Sequence, residues 1–470
     1  MPAIITNEFR LDATNRFVNS IKDGTDTYYV AIGRAQPWDD ESNPDIPYEN
    51  DVTRRDFWDN VYALKKIAPT EVSSVSPGKL WTPQTVYNAY DDNMQPHVGS
   101  VDTAPQYFAI SNNNNVFMCI KAGPQGSSSD PDAIPLSTGN NPVTAPGDGY
   151  TWKYMYTTSV SSTNKFLTTD FVPVTRVPRN ADDDGWEYDS ADTAAERQAG
   201  VQGSALHGAI YRIDLITAGL GYTSTNDVVV TIKGNNAGGT DASAHVTWVS
   251  DANGDPLSTN GVYTIQDVVV DEHGSGYENA IVTIINGGAN TAATARAVLP
   301  PTGGFGFDPR NELRSHYASL NKVFHGQDNL PNTNDFRQIA VIKNPKIPNG
   351  SAAIADDYIG CKSMSISQSA AWSDDALIEG TTSTARARVV TYSISDNLLF
   401  YTQDVTTGYE DFLSGEDVTV VNSSISAQAI DSLIDAPIKQ YSGDMIFLEN
   451  RQKVSRGSDQ LETIRLVLAF

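Results

Sequence analysis

The chain has 470 residues, a formal net charge of −25 and 39% hydrophobic residues, which predicts two to four packed domains rather than a disordered chain. The acidic balance argues against nucleic acid and against an anionic membrane surface as partners, because both require clustered Lys and Arg. Cys119 and Cys361 are the two cysteines; no basic, apolar leader is visible and no window approaches the ~20 apolar residues of a membrane span, so folding in a reducing cytoplasm with both thiols unpaired is expected.

Gly, Asn, Ser, Thr, Asp and Pro punctuate short β-branched and aromatic runs, the texture of a mainly β protein with a few helices. The first helix is predicted over Glu8 to Lys22, where Phe9, Ala13, Phe17 and Ile21 recur every fourth residue and Gly24 follows as a stop. A second is predicted over Thr53 to Ile67, with Thr53 as cap, Asp56 at the capping-box position and Phe57, Val61 and Leu64 as the apolar stripe. Asn180 to Asp192 reads as an acidic, solvated linker. Residues 200–300 contain a repeat. Gly219-Leu220-Gly221-Tyr222 and Gly274-Ser275-Gly276-Tyr277 each precede a β-branched run (Val228 to Ile232, Ile281 to Ile285), then a Gly/Asn turn (Gly234-Asn235-Asn236, Asn286-Gly287-Gly288), then an Ala-rich strand. A strand rather than a helix follows each Gly-x-Gly-Tyr, so the glycines form turns and not a phosphate cradle; the stretch is expected to be a duplicated β domain. Asp308-Pro309 marks the start of a third helix, whose face would carry Leu313, Tyr317, Leu320 and Phe324. Thr384 to Val390, Leu398 to Asp404 and Asp417 to Val421 suggest a further small β module. Finally, Met445 to Leu448 is apolar throughout, and Ile464, Leu466, Leu468 and Phe470 alternate with Arg465, Val467 and Ala469 as in a strand with one buried face.

No catalytic or metal-binding pattern emerges. His97, His207, His245, His273, His316 and His325 are scattered, with no H-x-H or H-E-x-x-H pair, and there is no G-x-S-x-G elbow or Walker loop. The 57 acidic residues offer many carboxylate pairs, for each of which a solvated surface is the simpler reading. Asp251-Ala252-Asn253-Gly254-Asp255 has the start of a calcium loop, but Val262 stands where the closing Glu belongs, and a hairpin turn fits better. Trp38, Trp81, Trp152 and Trp186 sit near Gly or Pro turns, where half-buried aromatics under loops are the commoner arrangement and exposed sugar- or protein-binding clusters the alternative.

Several blocks resemble one family, in the same order. These are Asn19-Ser20-Ile21 with the strand Tyr28 to Ile32 and Gly33-Arg34-Ala35-Gln36-Pro37-Trp38; Pro146-Gly147-Asp148-Gly149-Tyr150-Thr151-Trp152-Lys153-Tyr154; the expected helix Asn311 to Phe324; the strand and turn Phe336 to Pro345; and Ser442-Gly443-Asp444-Met445-Ile446-Phe447-Leu448-Glu449-Asn450-Arg451. Together they resemble the baseplate wedge proteins of T-even-type contractile-tailed bacteriophages. The resemblance implies a β-sandwich core with decorating helices, a homodimer, and a structural role joining other wedge proteins in the virion tail, with no catalytic residue, cofactor or metal. The positions it marks, read as fold-determining, are Gly147, Asp148, Gly149, Tyr150 and Trp152, and Gly443, Asp444, Glu449, Asn450 and Arg451. Glu449 and Arg451 could pair with sheet neighbours or with a partner subunit. The implied organisation is a discontinuous core of residues 1–199, 301–350 and 434–470, with insertions at 200–300 and 351–433. The rival reading is a carbohydrate-binding or carbohydrate-cleaving tail protein, using the Gly-rich repeats and exposed aromatics.

Overall fold

The computed structural model describes residues 4–94, 105–123, 130–133, 139–177, 193–285, 288–367 and 372–470. The predicted linker at 180–192, with Trp186, lies outside these residues, as do His97, Asn286 and Gly287. The protein is mainly β, with strands β1–β26 and helices α1–α5 numbered in chain order. Two compact units are present. One comprises Met1–Asn15, Ser73–Ala318 and Leu468–Phe470; the other comprises Arg16–Val72 and Ser319–Val467.

In the second unit, β18 (Asp357–Ile359), β2 (Val61–Lys66), β1 (Tyr28–Gly33), β17 (Phe336–Lys343) and β25 (Asp444–Val454) form an antiparallel sheet in that order. Strands from the two ends of the sequence thus share one sheet, with β17 between them. β1 is buried at every residue, which is why Tyr28 to Ile32 reads as a continuous apolar run rather than an alternating one. The same unit holds a closed antiparallel barrel of β19 (Lys362–Ile366), β22 (Leu398–Thr402), β21 (Arg386–Ser393), β20 (Leu377–Gly380), β23 (Asp417–Val420) and β24 (Gln428–Ile434). Its interior is filled by Met364, Ile378, Val389, Leu399 and Val418 among others.

In the first unit, β4 (Lys79–Leu80), β5 (Phe108–Ile110), β6 (Asn115–Lys121), β8 (Thr151–Thr157) and β7 (Val143–Thr144) make a five-stranded sheet in that order. Residues 212–298 form a four-stranded sheet of β12 (Ser243–Trp248), β13 (Ile265–Glu272), β10 (Arg212–Thr217) and β15 (Thr294–Val298), together with the ribbon β11 (Val229–Gly234) and β14 (Ala280–Ile285). The two repeat copies face one another here: β11 pairs with β14. Tyr222 Oη accepts from Ala293 N (2.7 Å) and Tyr277 Oη from Ala242 N (2.9 Å), each tyrosine capping the Ala-rich strand of the other copy. Both tyrosines are buried, and Trp248 packs edge-on against Tyr222 and against Tyr263, so these aromatic residues join the interior of the repeat. Of the remaining strands, β3 (Val72–Pro77) and β9 (Phe171–Pro173) belong mainly to this unit, and β16 (Tyr317–His325) and β26 (Leu461–Ala469) mainly to the second. Phe470, next to β26, donates its N–H to His316 O (3.1 Å) and accepts from Arg10 Nη1 (2.9 Å).

The helices depart from their predicted extents. α1 (Asn7–Lys22) is present, but its buried residues are Leu11, Thr14, Phe17, Val18 and Ile21, and Phe9 is exposed; the periodicity of four chosen from Phe9 drifts off the face of a 3.6-residue helix. α2 (Asp51–Asn60) is capped by Asn50, whose side chain accepts from Thr53 N (2.8 Å), not by Thr53. It stops at Asn60, and Val61 to Lys66 continue as β2, where ladders to β1 and β18 outweigh helical propensity. The third helix is one turn, α5 (Pro309–Glu312). Asp308 caps it and Pro309 opens it as expected. Arg314 then takes a left-handed φ of 54° and the chain runs on as β16, not as helix. Because β16 is buried on both faces over most of its length, Leu313, Tyr317, Leu320 and Phe324 imitate a helical stripe. The remaining helices are α3 (Val160–Phe166) and α4 (Thr193–Gly203).

Candidate functional site

The two marked motifs lie in different units. In the first, Gly147 (φ 91°) and Gly149 (φ 71°) bracket Asp148, whose carboxylate accepts from Tyr150 N (3.0 Å). Ala145 N donates to Tyr150 O (2.7 Å) and brings β7 back onto β8. This turn drives Tyr150 and Trp152 into the core, where they stack at 5.9 Å and Tyr87 meets the indole edge-on at 5.3 Å. The next residue, Lys153, is buried on β8, with Nζ donating to Asn140 O. Burial holds its amine down to about 8. Glu312 is buried in the same unit, accepting from Gly306 N (2.7 Å) and Asp308 N (2.9 Å), and burial pushes its carboxyl up to about 8 against those two donors.

In the second motif, Ser442 Oγ accepts from Lys346 N (2.9 Å) and donates to Lys439 O (2.5 Å). Gly443 turns the chain at φ 74°, and Asp444 opens β25 opposite Lys343. Asn450 accepts from Gln338 Nε2 (2.8 Å) and donates to Asp45 O (2.9 Å), and Arg451 O accepts from the Trp38 indole (2.9 Å). Glu449 stands opposite Ile339 in the ladder. Neither Glu449 nor Arg451 makes an ion pair among the described residues. Phe447 to Asn450 of β25, Arg465 to Val467 of β26 and the loop residues Pro44, Ile46 and Pro47 line a groove of about 570 Å³.

Other polar centres carry no sequence signal, because their partners are hundreds of residues apart. Asp59, at the end of α2, is buried and accepts from Tyr409 Oη (2.7 Å) and from Tyr441 Oη; the carboxylate beside it pushes the Tyr409 phenol up to about 12. The Arg337 guanidinium is buried on β17, its Nε donating to Glu41 (2.6 Å) and its Nη1 to Ala35 O. Trp38 and Trp81 are half-buried and Trp152 is buried. The Asp251 segment is a turn whose carboxylate accepts from Asn253 N and Asp255 N. No group of three or more His, Cys, Asp or Glu suited to a metal occurs among the described residues. These centres tie together segments of the chain through side chains; none of them pairs a nucleophile with a base in an open cleft.

The family model described as "Bacteriophage T4, Gp8" matches residues 3–125. A curated relative, "Baseplate wedge protein gp8" of Enterobacteria phage T4, is 27% identical over 186 residues, covering 33% of this chain and 55% of that protein. Over this part the chain is similar to the phage baseplate wedge family. It spans about half the length of the curated relative it matches. The family-model match takes in α1, β1, α2 and β2, so β1, the neighbour of β17, and α2, which carries Asp59, fall within the matched region, whereas the Pro146–Tyr154 and Ser442–Arg451 motifs lie beyond it.

Proposed function

We propose that the protein is a structural subunit of a contractile phage tail baseplate. In this reading it joins neighbouring wedge proteins, works as a homodimer, takes part in assembly in the host cytoplasm, and shifts with its neighbours when the tail attaches to a host. The family match over residues 3–125 is the observation that carries the reading, and the T4 relative's wedge assignment agrees with it. The marked residues fit a scaffold. Asp148, Gly443 and Asn450 are spent on holding turns and strand edges, as a load-transmitting subunit needs. Light scattering on the purified chain tests the oligomeric part. A mass of twice the chain is expected; a concentration-independent monomer or a trimer contradicts it.

A further inference from the structure

β25 is an eleven-residue strand at the edge of its sheet. Among the described residues its strand partner is β17, on one side. Arg451 lies at the register shift between Phe336 and Gln338, where three residues of β25 stand against one of β17, and its carbonyl meets Trp38. A long edge that carries Met445-Ile446-Phe447-Leu448 is a template for strand addition unless something covers it. Residues 36–50 cross this edge without forming helix or strand. Three bonds hold them there: Trp38 Nε1 to Arg451 O (2.9 Å), Asn450 Nδ2 to Asp45 O (2.9 Å) and Gln452 Nε2 to Ser42 O (2.7 Å). At the base of the segment Glu41 accepts from Trp38 N and Arg337 Nε, and Arg34 lies 3.8 Å over the Trp38 ring. Pro44, Ile46 and Pro47 wall the groove beside Phe447 and Leu448, yet Ile46 is 86% and Tyr48 78% exposed.

We propose that residues 36–50 are a displaceable strap that guards the outer edge of β25 against pairing with another strand. The attachment suits a guard. It uses side-chain contacts to the edge rather than a ladder, so the strap lifts without unzipping the sheet, and Ile46 and Tyr48 stay largely outside. Once the strap is lifted, the edge takes an extended strand, and a second copy of β25 is the strand always at hand. This holds for the isolated chain, whichever complex it joins.

The test compares wild type with Trp38→Phe/Asn450→Ala/Gln452→Ala, which removes the three edge bonds while keeping an aromatic ring under Arg34. Light scattering over a concentration series is expected to give the triple variant a species at least twice the wild-type mass that grows with concentration. Adding Ile446→Lys, a charge on the exposed part of the edge, is expected to restore the wild-type mass. An unchanged mass in the triple variant at every concentration overturns the proposal. So does an increased mass that persists after Ile446→Lys, since association would then not run through β25.

Discussion

Gly443→Ala is expected to cost more than about 3 kcal/mol, the sum of a left-handed alanine and a backbone clash. The residue sits at φ 74°, and an added Cβ would lie 2.6 Å from Lys343 O and 2.9 Å from Pro345 N and Cα. Those are main-chain atoms at the end of β17, so they cannot yield by a rotamer change. Relief requires pulling Lys343 away from Asp444, the first rung of the β17–β25 ladder. Gly147→Ala is the control. Gly147 has a similar φ of 91°, but nothing lies within 4 Å of its added Cβ, so the conformational penalty stands alone at about 1–2 kcal/mol. Urea denaturation of both variants checks this; equal losses would show that the close approach at Gly443 contributes nothing.

The second large effect is a stability minimum near pH 8 from Glu312 and Lys153. Glu312 keeps its proton in the folded state up to about 8, against an ordinary value of 4.5. Between these values the unfolded chain has released a proton that the folded chain still holds, so stability falls as pH rises, by roughly 4–5 kcal/mol in all. Lys153 shows the reverse. Its folded value of about 8 lies below the ordinary 10.5, so between them the unfolded chain holds the extra proton and stability climbs by about 3 kcal/mol. Denaturation across pH 4–10.5 is expected to trace this valley. Glu312→Gln should flatten its acid side, and Lys153→Met its alkaline side. Retention of both slopes in the two variants would assign the valley to other groups.

The sequence was legible where structure is local. The Gly-x-Gly-Tyr repeats, the Asp308-Pro309 cap and the Gly-Asp-Gly-Tyr turn each state their geometry within a few residues, and the structure places turns, a capped helix start and a buried tyrosine there. It misled where both faces of a strand are buried. In Val61 to Lys66 and Tyr317 to His325 apolar residues occur at both strand and helix spacings, and only the ladders decide between them. The site was half legible. The resemblance marked Asn450 and Arg451, but Trp38, Asp45 and Ser42, which meet β25 across some four hundred residues of sequence, have no pattern that links them to it. The same separation hid the Asp59 carboxylate under Tyr409 and Tyr441, since buried hydrogen bonding follows tertiary structure and leaves no periodicity.

Electron microscopy of phage particles made without this chain tests the central claim most directly. With the coding sequence interrupted, tails are expected to lack complete baseplates, and supplying the chain in trans is expected to restore them. Intact baseplates in its absence would contradict a structural role in the wedge.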